Sequence, residues 1–318
     1  MTKASANFFK VEREGINTTF QDNGRKNYNH IGIPISGVMD RRNYILANSL
    51  LKKSLDSPVI EFAYQGPLLK YYGRKLCIAI TGDVKFQIIK SNQQIIEGDT
   101  YKVYLIENND KIDIQSTTNS VYGYLSINEN LIIDNIWGSV STNTIAKIGA
   151  NNGNKLSKEQ KIIIDHKNKS TSLSKLNFAN SKIEFIRVLK SINFNFFSKE
   201  AQQKFFNSEF KVTKLSDRMG MRLEGKKLEN IKSTNIKSEG LVKGVVQVPS
   251  DGNPIVMLAD HGTIGGYPKI ANVINADLDK IVQMPPGSVI KFKEVSLQDA
   301  EKLFKFYNLE TTNLINQI

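Results

Sequence analysis

Three features of the sequence predict a mainly β fold with a few helices. Apolar and polar residues alternate over short runs, the runs are rich in Ile, Val, Tyr and Phe, and Gly, Pro, Asn and Asp turn signals separate them. An alternation of period two places successive side chains on opposite faces of an extended chain, so each run reads as one strand of a sheet or barrel.

The first half supplies FFKVERE and TTFQD, then a helix from about Arg41, and then SPVIEFAYQ, KLCIAITG, FQIIK, YKVYLIE, KIDIQS and VYGYLSI. Asp40 suits an N-cap for that helix, and Leu46, Ala47, Leu50 and Leu51 recur at helical spacing behind it. The polar, lysine-rich interval from Asn151 to Lys175 reads as a linker or exposed loop, so the chain divides into residues 1–150, a connecting stretch 151–181, and residues 182–318. The second half continues with KIEFIRVL, a helix from Ser198 to about Asn207, and the strands FKVTKL, GVVQVP, PIVMLA and SVIKFKEV. Ser296 and Asp299 form a capping-box start to a closing helix that carries Ala300, Leu303, Phe304 and Tyr307. Displacing the two halves by 196 residues lays Pro58, Ala63, Gly66 and Tyr71 over Pro254, Ala259, Gly262 and Tyr267, a hint of two related β-domains.

At 318 residues the chain can bury two ordinary cores, and 40% hydrophobic with 23% charged residues is a globular composition. A net charge of +12 favours anionic partners in general, yet the lysines are dispersed, which argues against a nucleic-acid or membrane surface. The single Cys77 excludes an intramolecular disulfide, the start MTKASANFFKVEREG lacks the apolar core of a secretory signal, and no apolar run nears the roughly 18 residues of a membrane span. A cytoplasmic location is the expectation.

No standard catalytic signature is present. GANNGNKLS, from Gly149, is one residue short of a phosphate loop and has Leu156 where a magnesium-binding hydroxyl belongs; His30, His166 and His261 stand apart without zinc-ligand spacing; no serine lies in GxSxG; and no Met-Lys-Met acceptor for biotin occurs. Four glycine-bearing polar turns remain. The first, Gly15 to Asp40, offers Asp22, Arg25, His30 and Asp40. SDRMGMRLEG offers Asp217, Arg218 and Arg222 as either a planar anion receptor or an internal ion network with Glu224. LADHGTIGGYPKIANVINADL, from Leu258, offers Asp260, His261, Gly265, Gly266, Tyr267 and Lys269, where backbone N–H groups and a lysine could cradle an anion. MPPGSVIKF around Gly287 reads as a turn before the last strand.

The stretches TTFQDNGR, GIPISGVMD, IEFAYQGP, AITG, WGSVST, SDRMGMRLEG, VQVPSDGNPIVMLAD and GGYPKIANVINADL resemble, in order and spacing, the family of the 5-oxoprolinase C subunit, related to allophanate hydrolase subunit 2 and to the carboxyltransferase subdomains of urea carboxylase. The resemblance implies two cyclophilin-like β-barrel subdomains. It also implies two partners, a B-type subunit related to the other carboxyltransferase half and an A-type subunit of the lactam-utilisation kind, which together with it convert 5-oxoproline to glutamate with ATP. On that reading Arg25, Arg218, Arg222, Gly265, Gly266 and Tyr267 are candidates for binding substrate or anion. Asp40, Asp217, Asp260, His261 and Lys269 are candidates for catalysis, and no metal is expected. Two alternatives stay open: a carboxyltransferase component acting on a urea-like substrate with biotin on a separate carrier, and a regulatory subunit that antagonises a kinase inhibitor. The chain departs from the family pattern at Tyr122, at Asn128-Glu129, at Lys190-Ser191-Ile192, at Val38 and at His261-Gly262.

Overall fold

The computed structural model describes residues 7–167, 171–180, 184–230 and 235–318. They form two compact units, one from Met1–Arg25, Arg41–Asn180 and Thr312–Ile318, the other from Lys26–Asp40 and Ser181–Thr311. The fold is mostly β, with sheet that curls into a nearly closed barrel. Among the described residues no helix is long and apolar enough to cross a membrane.

In the first unit a seven-stranded sheet runs Asn130–Leu131, Lys161–Asp165, Asn7–Arg13, Leu68–Tyr72, Lys111–Thr117, Val84–Ile89, Ile95–Glu97. Alternation decides its faces: Phe9 and Val11 enter the core with Leu69, Ile112 and Ile162, while Phe8, Lys10 and Glu12 point away from it. On the outer face Lys161, Lys10, Lys70 and Lys111 stand directly opposite one another across four neighbouring strands. Like charges so placed repel. Lys10 is offset by Glu159 at 2.6 Å and Lys111 by Glu12 at 2.7 Å, while Lys161 and Lys70 sit 4.7 and 5.2 Å from the ring centres of Phe8 and Tyr72.

A five-stranded sheet, ordered Thr19–Gln21, Val59–Ala63, Tyr122–Ile127, Leu76–Thr81, Val103–Ile106, completes that unit. Every residue of Val59–Ala63, Leu76–Thr81 and Tyr122–Ile127 is buried, because the helix Arg41–Leu50 covers the face that the core does not, packing Leu46 and Leu50 on Ala79 and Val103. Burial on both faces is why these strands read as unbroken apolar runs.

The second unit holds an eight-stranded sheet, Val289–Ile290, Phe210–Val212, Gly220–Gly225, Ile255–Met257, Val245–Gln247, Lys269–Val273, Ile186–Lys190, Phe292–Glu294, and a small ladder of Glu239–Gly240 with Ile264–Gly265. The helix Lys199–Asn207 begins where Ser198 accepts the Ala201 N–H at 3.0 Å, and its Phe205 stacks on Phe292 at 4.6 Å. The closing helix, Leu297–Asn316, starts as the capping signal requires, with the Asp299 N–H donating to Ser296 Oγ at 3.1 Å.

One local expectation changes. The interval Asn151 to Lys175, expected to be a linker or exposed loop, contains the strand Lys161–Asp165, whose Ile162 and Ile164 are core residues paired against Asn7–Arg13. The flanking lysines mask three isoleucines whose alternation is enough to form a strand once a neighbour supplies the ladder. GANNGNKLS is a packed turn: Gly149, Asn151, Asn152 and Gly153 all have positive φ, and a Cβ on Gly149 would lie 2.0 Å from the Ser141 carbonyl oxygen. Gly149→Ala therefore combines left-handed strain with a backbone overlap, and urea unfolding should record a loss of roughly 2–4 kcal/mol.

Candidate functional site

The four polar turns are built differently. In the first unit the Asp22 carboxylate is buried and accepts from Ser139 Oγ at 2.6 Å, Ser141 Oγ at 2.6 Å, Val140 N at 2.9 Å and Gly24 N at 2.8 Å. Arg25 is 1% exposed and donates through Nη2 to the Ser141 carbonyl at 2.6 Å. Asp22 and Arg25 of DNGR and Ser139 to Ser141 of WGSVST thus form one buried knot of turn against strand-like backbone.

In the second unit Asp217 opens the hairpin turn, accepting from the Met219 and Gly220 amides at 2.8 and 3.1 Å. That turn delivers Arg218 inward. Its Nε reaches Asp260 Oδ2 at 2.8 Å, its Nη2 reaches Asp260 Oδ1 at 3.1 Å and the Gly37 carbonyl at 2.6 Å, and the Asp260 N–H returns to the Arg218 carbonyl at 2.8 Å. Lys243, which sequence reading missed, donates to the Met39 carbonyl at 2.7 Å, and Gln283 donates to Asp40 at 2.8 Å. Residues 37–40 are therefore held along their length by Arg218, Lys243 and Gln283. Arg222, four residues after Arg218 and one strand position past the buried Met221, faces solvent.

His261 is buried beside this cluster. Its Nδ1 lies 2.6 Å from the Gly262 carbonyl, and since a carbonyl only accepts, Nδ1 carries the proton and Nε2 is left as the acceptor. Burial holds its pKa below the ordinary histidine range, the nearby Lys243 adds to that, and Asp260 and the Gly262 carbonyl oppose it. Lys269, also buried, is ion-paired with Glu239, whose side chain is partly open to solvent, and its amide donates to Asn193 Oδ1 at 3.1 Å. Gln247 and Lys269 are register partners, and Gln247 donates to the Tyr267 carbonyl at 3.1 Å. A Cβ on Gly265 would lie 2.7 Å from Gln247 Nε2, so this glycine serves close packing whatever else it does. Tyr267 is exposed, and the Gly266 carbonyl accepts the Ile236 N–H at 2.8 Å.

Arg218, Lys243 and Gln283 thus gather on residues 37–40 at the Gly244 end of the strand Val245–Gln247, with Asp260 on Arg218 and His261 next to Asp260. Lys269 and Glu239 lie at its Gln247 end, and the loop from His261 to Lys269 joins the two. Among the described residues no cluster of three or more His, Cys, Asp or Glu could hold a metal ion. No local pattern singled out Lys243, Glu239 or Gln283; each is one charged or amide residue whose partner lies far away in sequence.

The two arginines should separate cleanly in urea titrations. Arg218→Met strands a buried carboxylate and should cost roughly 3–5 kcal/mol, with Asp260→Leu added to it recovering much of the loss, whereas Arg222→Met should stay within about 0.5 kcal/mol. For His261 the folded pKa is depressed, so the unfolded chain takes up the proton first. Its contribution to stability is complete above about pH 6.5 and is lost as pH falls from there through the folded value; His261→Gln should flatten that part of the pH profile.

Comparison with known proteins bears on this arrangement. The model of the carboxyltransferase domain, subdomain A and B, matches residues 31–294. The chain is 32% identical over 286 residues to the C subunit of 5-oxoprolinase from Haemophilus influenzae, covering 90% of each. It is 28% identical to urea amidolyase of Saccharomyces cerevisiae, covering 92% of this chain and 17% of that one. The crystal structure of K. lactis urea amidolyase superposes with a TM-score of 0.88 at 25% identity over 98% of this chain, which spans only 20% of that protein. With most of its length matched by the family model and nearly all of it by these relatives, the chain belongs to the carboxyltransferase domain family, subdomains A and B.

Proposed function

We propose that the chain is one component of an ATP-dependent 5-oxoprolinase-type complex that opens a small cyclic amide, 5-oxoproline, to glutamate. One observation carries the reading: the match to the Haemophilus influenzae 5-oxoprolinase C subunit runs over 90% of both chains at 32% identity, whereas yeast urea amidolyase is matched over 17% of its length. The partners on this reading are the other carboxyltransferase-like subunit, of the B type, and the lactam-utilisation-type subunit, of the A type, and the complex is cytoplasmic.

Ring opening adds water to the lactam carbonyl carbon and breaks the C–N bond, so a proton must leave the water and another must reach the departing nitrogen. His261 suits both transfers, since Nδ1 is tied to Gly262 and Nε2 can take and return the proton. Lys269 is the cation best placed to meet a substrate carboxylate, because its ion partner Glu239 is on the solvent side and can be exchanged for another carboxylate. Tyr267 and the Gly265-Gly266 backbone border that position. Arg218, Asp260, Asp40 and Asp217 are positioning residues here: they hold residues 37–40 and the turn that carries His261. Arg25 does the same for its own turn, and Arg222 remains a solvent-facing cation open to a ligand or partner.

ATP, which the resemblance attaches to the whole complex, does not fit the cations of this cluster. Arg218 is shared by Asp260 and Gly37 and Lys243 by backbone carbonyls, so neither is spare, and the single exchangeable cation Lys269 is too little charge for a triphosphate. No step on this chain runs through it.

The carboxyltransferase alternative is favoured by the family description and by the TM-score of 0.88 to K. lactis urea amidolyase. There the same cluster would receive a urea-like nitrogen nucleophile, with biotin carried on another chain. Co-expression with the two partner subunits, followed by assay of glutamate release from 5-oxoproline with ATP, tests the first reading. Lys269→Ala in the assembled complex should lower turnover at least tenfold, about 1.4 kcal/mol of barrier. No glutamate from a folded, assembled complex rejects the proposal. Loss of activity with avidin and dependence on bicarbonate would transfer it to the alternative. Full activity of Lys269→Ala would favour a regulatory role in antagonising a kinase inhibitor.

A further inference from the structure

The strand Val245–Gln247 lies in the interior of the eight-stranded sheet, and all three of its residues are buried. Two are valines, as an interior strand favours, and the third is an amide with 4% of its surface exposed. Gln247 donates through Nε2 to the Tyr267 carbonyl at 3.1 Å. A carbonyl only accepts, so that contact fixes which way round the amide lies, and among the described residues nothing donates to its Oε1. An acceptor in such a place costs stability unless water or a ligand supplies the donor, a cost that a third valine would not carry.

The surroundings of that oxygen point to what it meets. Gln247 and Lys269 are register partners, so their side chains leave neighbouring strands on one face with Cβ atoms roughly 5 Å apart. Lys269 is ion-paired with Glu239, whose side chain is 37% exposed and so lies where solvent reaches the pair. Glu239 in turn pairs with Gly265 in the small ladder, and a Cβ on Gly265 would lie 2.7 Å from Nε2 and 3.2 Å from Oε1 of Gln247. A cation, a carboxylate that can be exchanged and an unused amide oxygen are therefore gathered around Gly265, and the side chain that this glycine lacks is what leaves room for the amide.

We infer that Gln247 is a specificity residue, whose Oε1 accepts an N–H borne on the carbon next to a carboxylate that Lys269 holds. The inference rests on the function proposed above and narrows its substrate class to α-amido carboxylates. In 5-oxoproline the lactam N–H and the carboxylate are attached to the same carbon, so one ring presents a donor to Gln247 and an anion to Lys269. Urea offers N–H groups but no anion, and would leave Lys269 with Glu239. A site that uses a buried acceptor on an N–H rejects a ligand of the same shape that lacks it, because the acceptor is then stranded.

The test uses the complex assembled with its two partner subunits and supplied with 5-oxoproline and ATP. The inhibitor is the cyclopentanone carboxylate in which a methylene replaces the ring N–H and nothing else changes. The unmodified complex should hold this inhibitor at least about tenfold more weakly than 5-oxoproline, read as inhibition constant against KM. Gln247→Met keeps the length of the side chain and removes the acceptor. It should raise the KM for 5-oxoproline at least about tenfold and leave the inhibition constant where it was, whereas a purely structural role would move both constants together. Glutamate release by an unmodified complex that holds the two ligands equally overturns the inference, whether or not the variant folds. A parallel change of both constants in Gln247→Met, or no change in either, also overturns it, and each of these results leaves the proposed function standing. No glutamate from the assembled, unmodified complex rejects both.

Discussion

The second unit depends on one requirement, that a buried guanidinium must spend its N–H groups on partners or unfold the site around it. Arg218 meets it with the Asp260 carboxylate and the Gly37 carbonyl, and so ties three stretches that are far apart in sequence into one point. The path of residues 36–37, both at positive φ, follows from that attachment. Lys243 repeats the device one and two residues later on the carbonyls of Val38 and Met39. Arg218, read from the sequence as a candidate anion receptor, is held by an internal carboxylate and a backbone carbonyl, and Lys243 acts as a staple on backbone.

The first unit solves the same problem with hydroxyls. Asp22 is buried as the acceptor, and Ser139 and Ser141 supply short donors to it. This accounts for two motifs at once, DNGR for the acceptor and WGSVST for the donors. The outer lysine row is handled by a third device, in which two charges find carboxylates and two lie over rings.

Most of the elements were legible because each has a local cause. The helix at Arg41, the Ser198 cap, the Ser296 capping box and the alternating strands depend on neighbours within a few residues. The strand Lys161–Asp165 was not legible, since three isoleucines between lysines are weak evidence until Asn7–Arg13 supplies the ladder. In SDRMGMRLEG, Arg218 and Arg222 are equivalent on paper. The turn after Asp217 sends the first inward, and strand alternation sends the second out; neither fact is visible without knowing where the turn ends and the strand begins. Lys243, Gln283 and Glu239 were invisible because their partners are distant in sequence.

By itself the sequence determined the mainly β class, many of the strands and helices, the glycine turns and the family, because periodicity, caps and turn residues act over a few positions and motif order survives in one dimension. Only the tertiary structure decided which charges are consumed by the fold and which remain for chemistry. Pairing is a property of distance and burial: the carboxylates that neutralise Arg218 and Lys269 lie 42 and 30 positions away, and the serine hydroxyls that donate to Asp22 more than 100. SDRMGMRLEG is, in the end, an ion clasp with one spare arginine on its outer side.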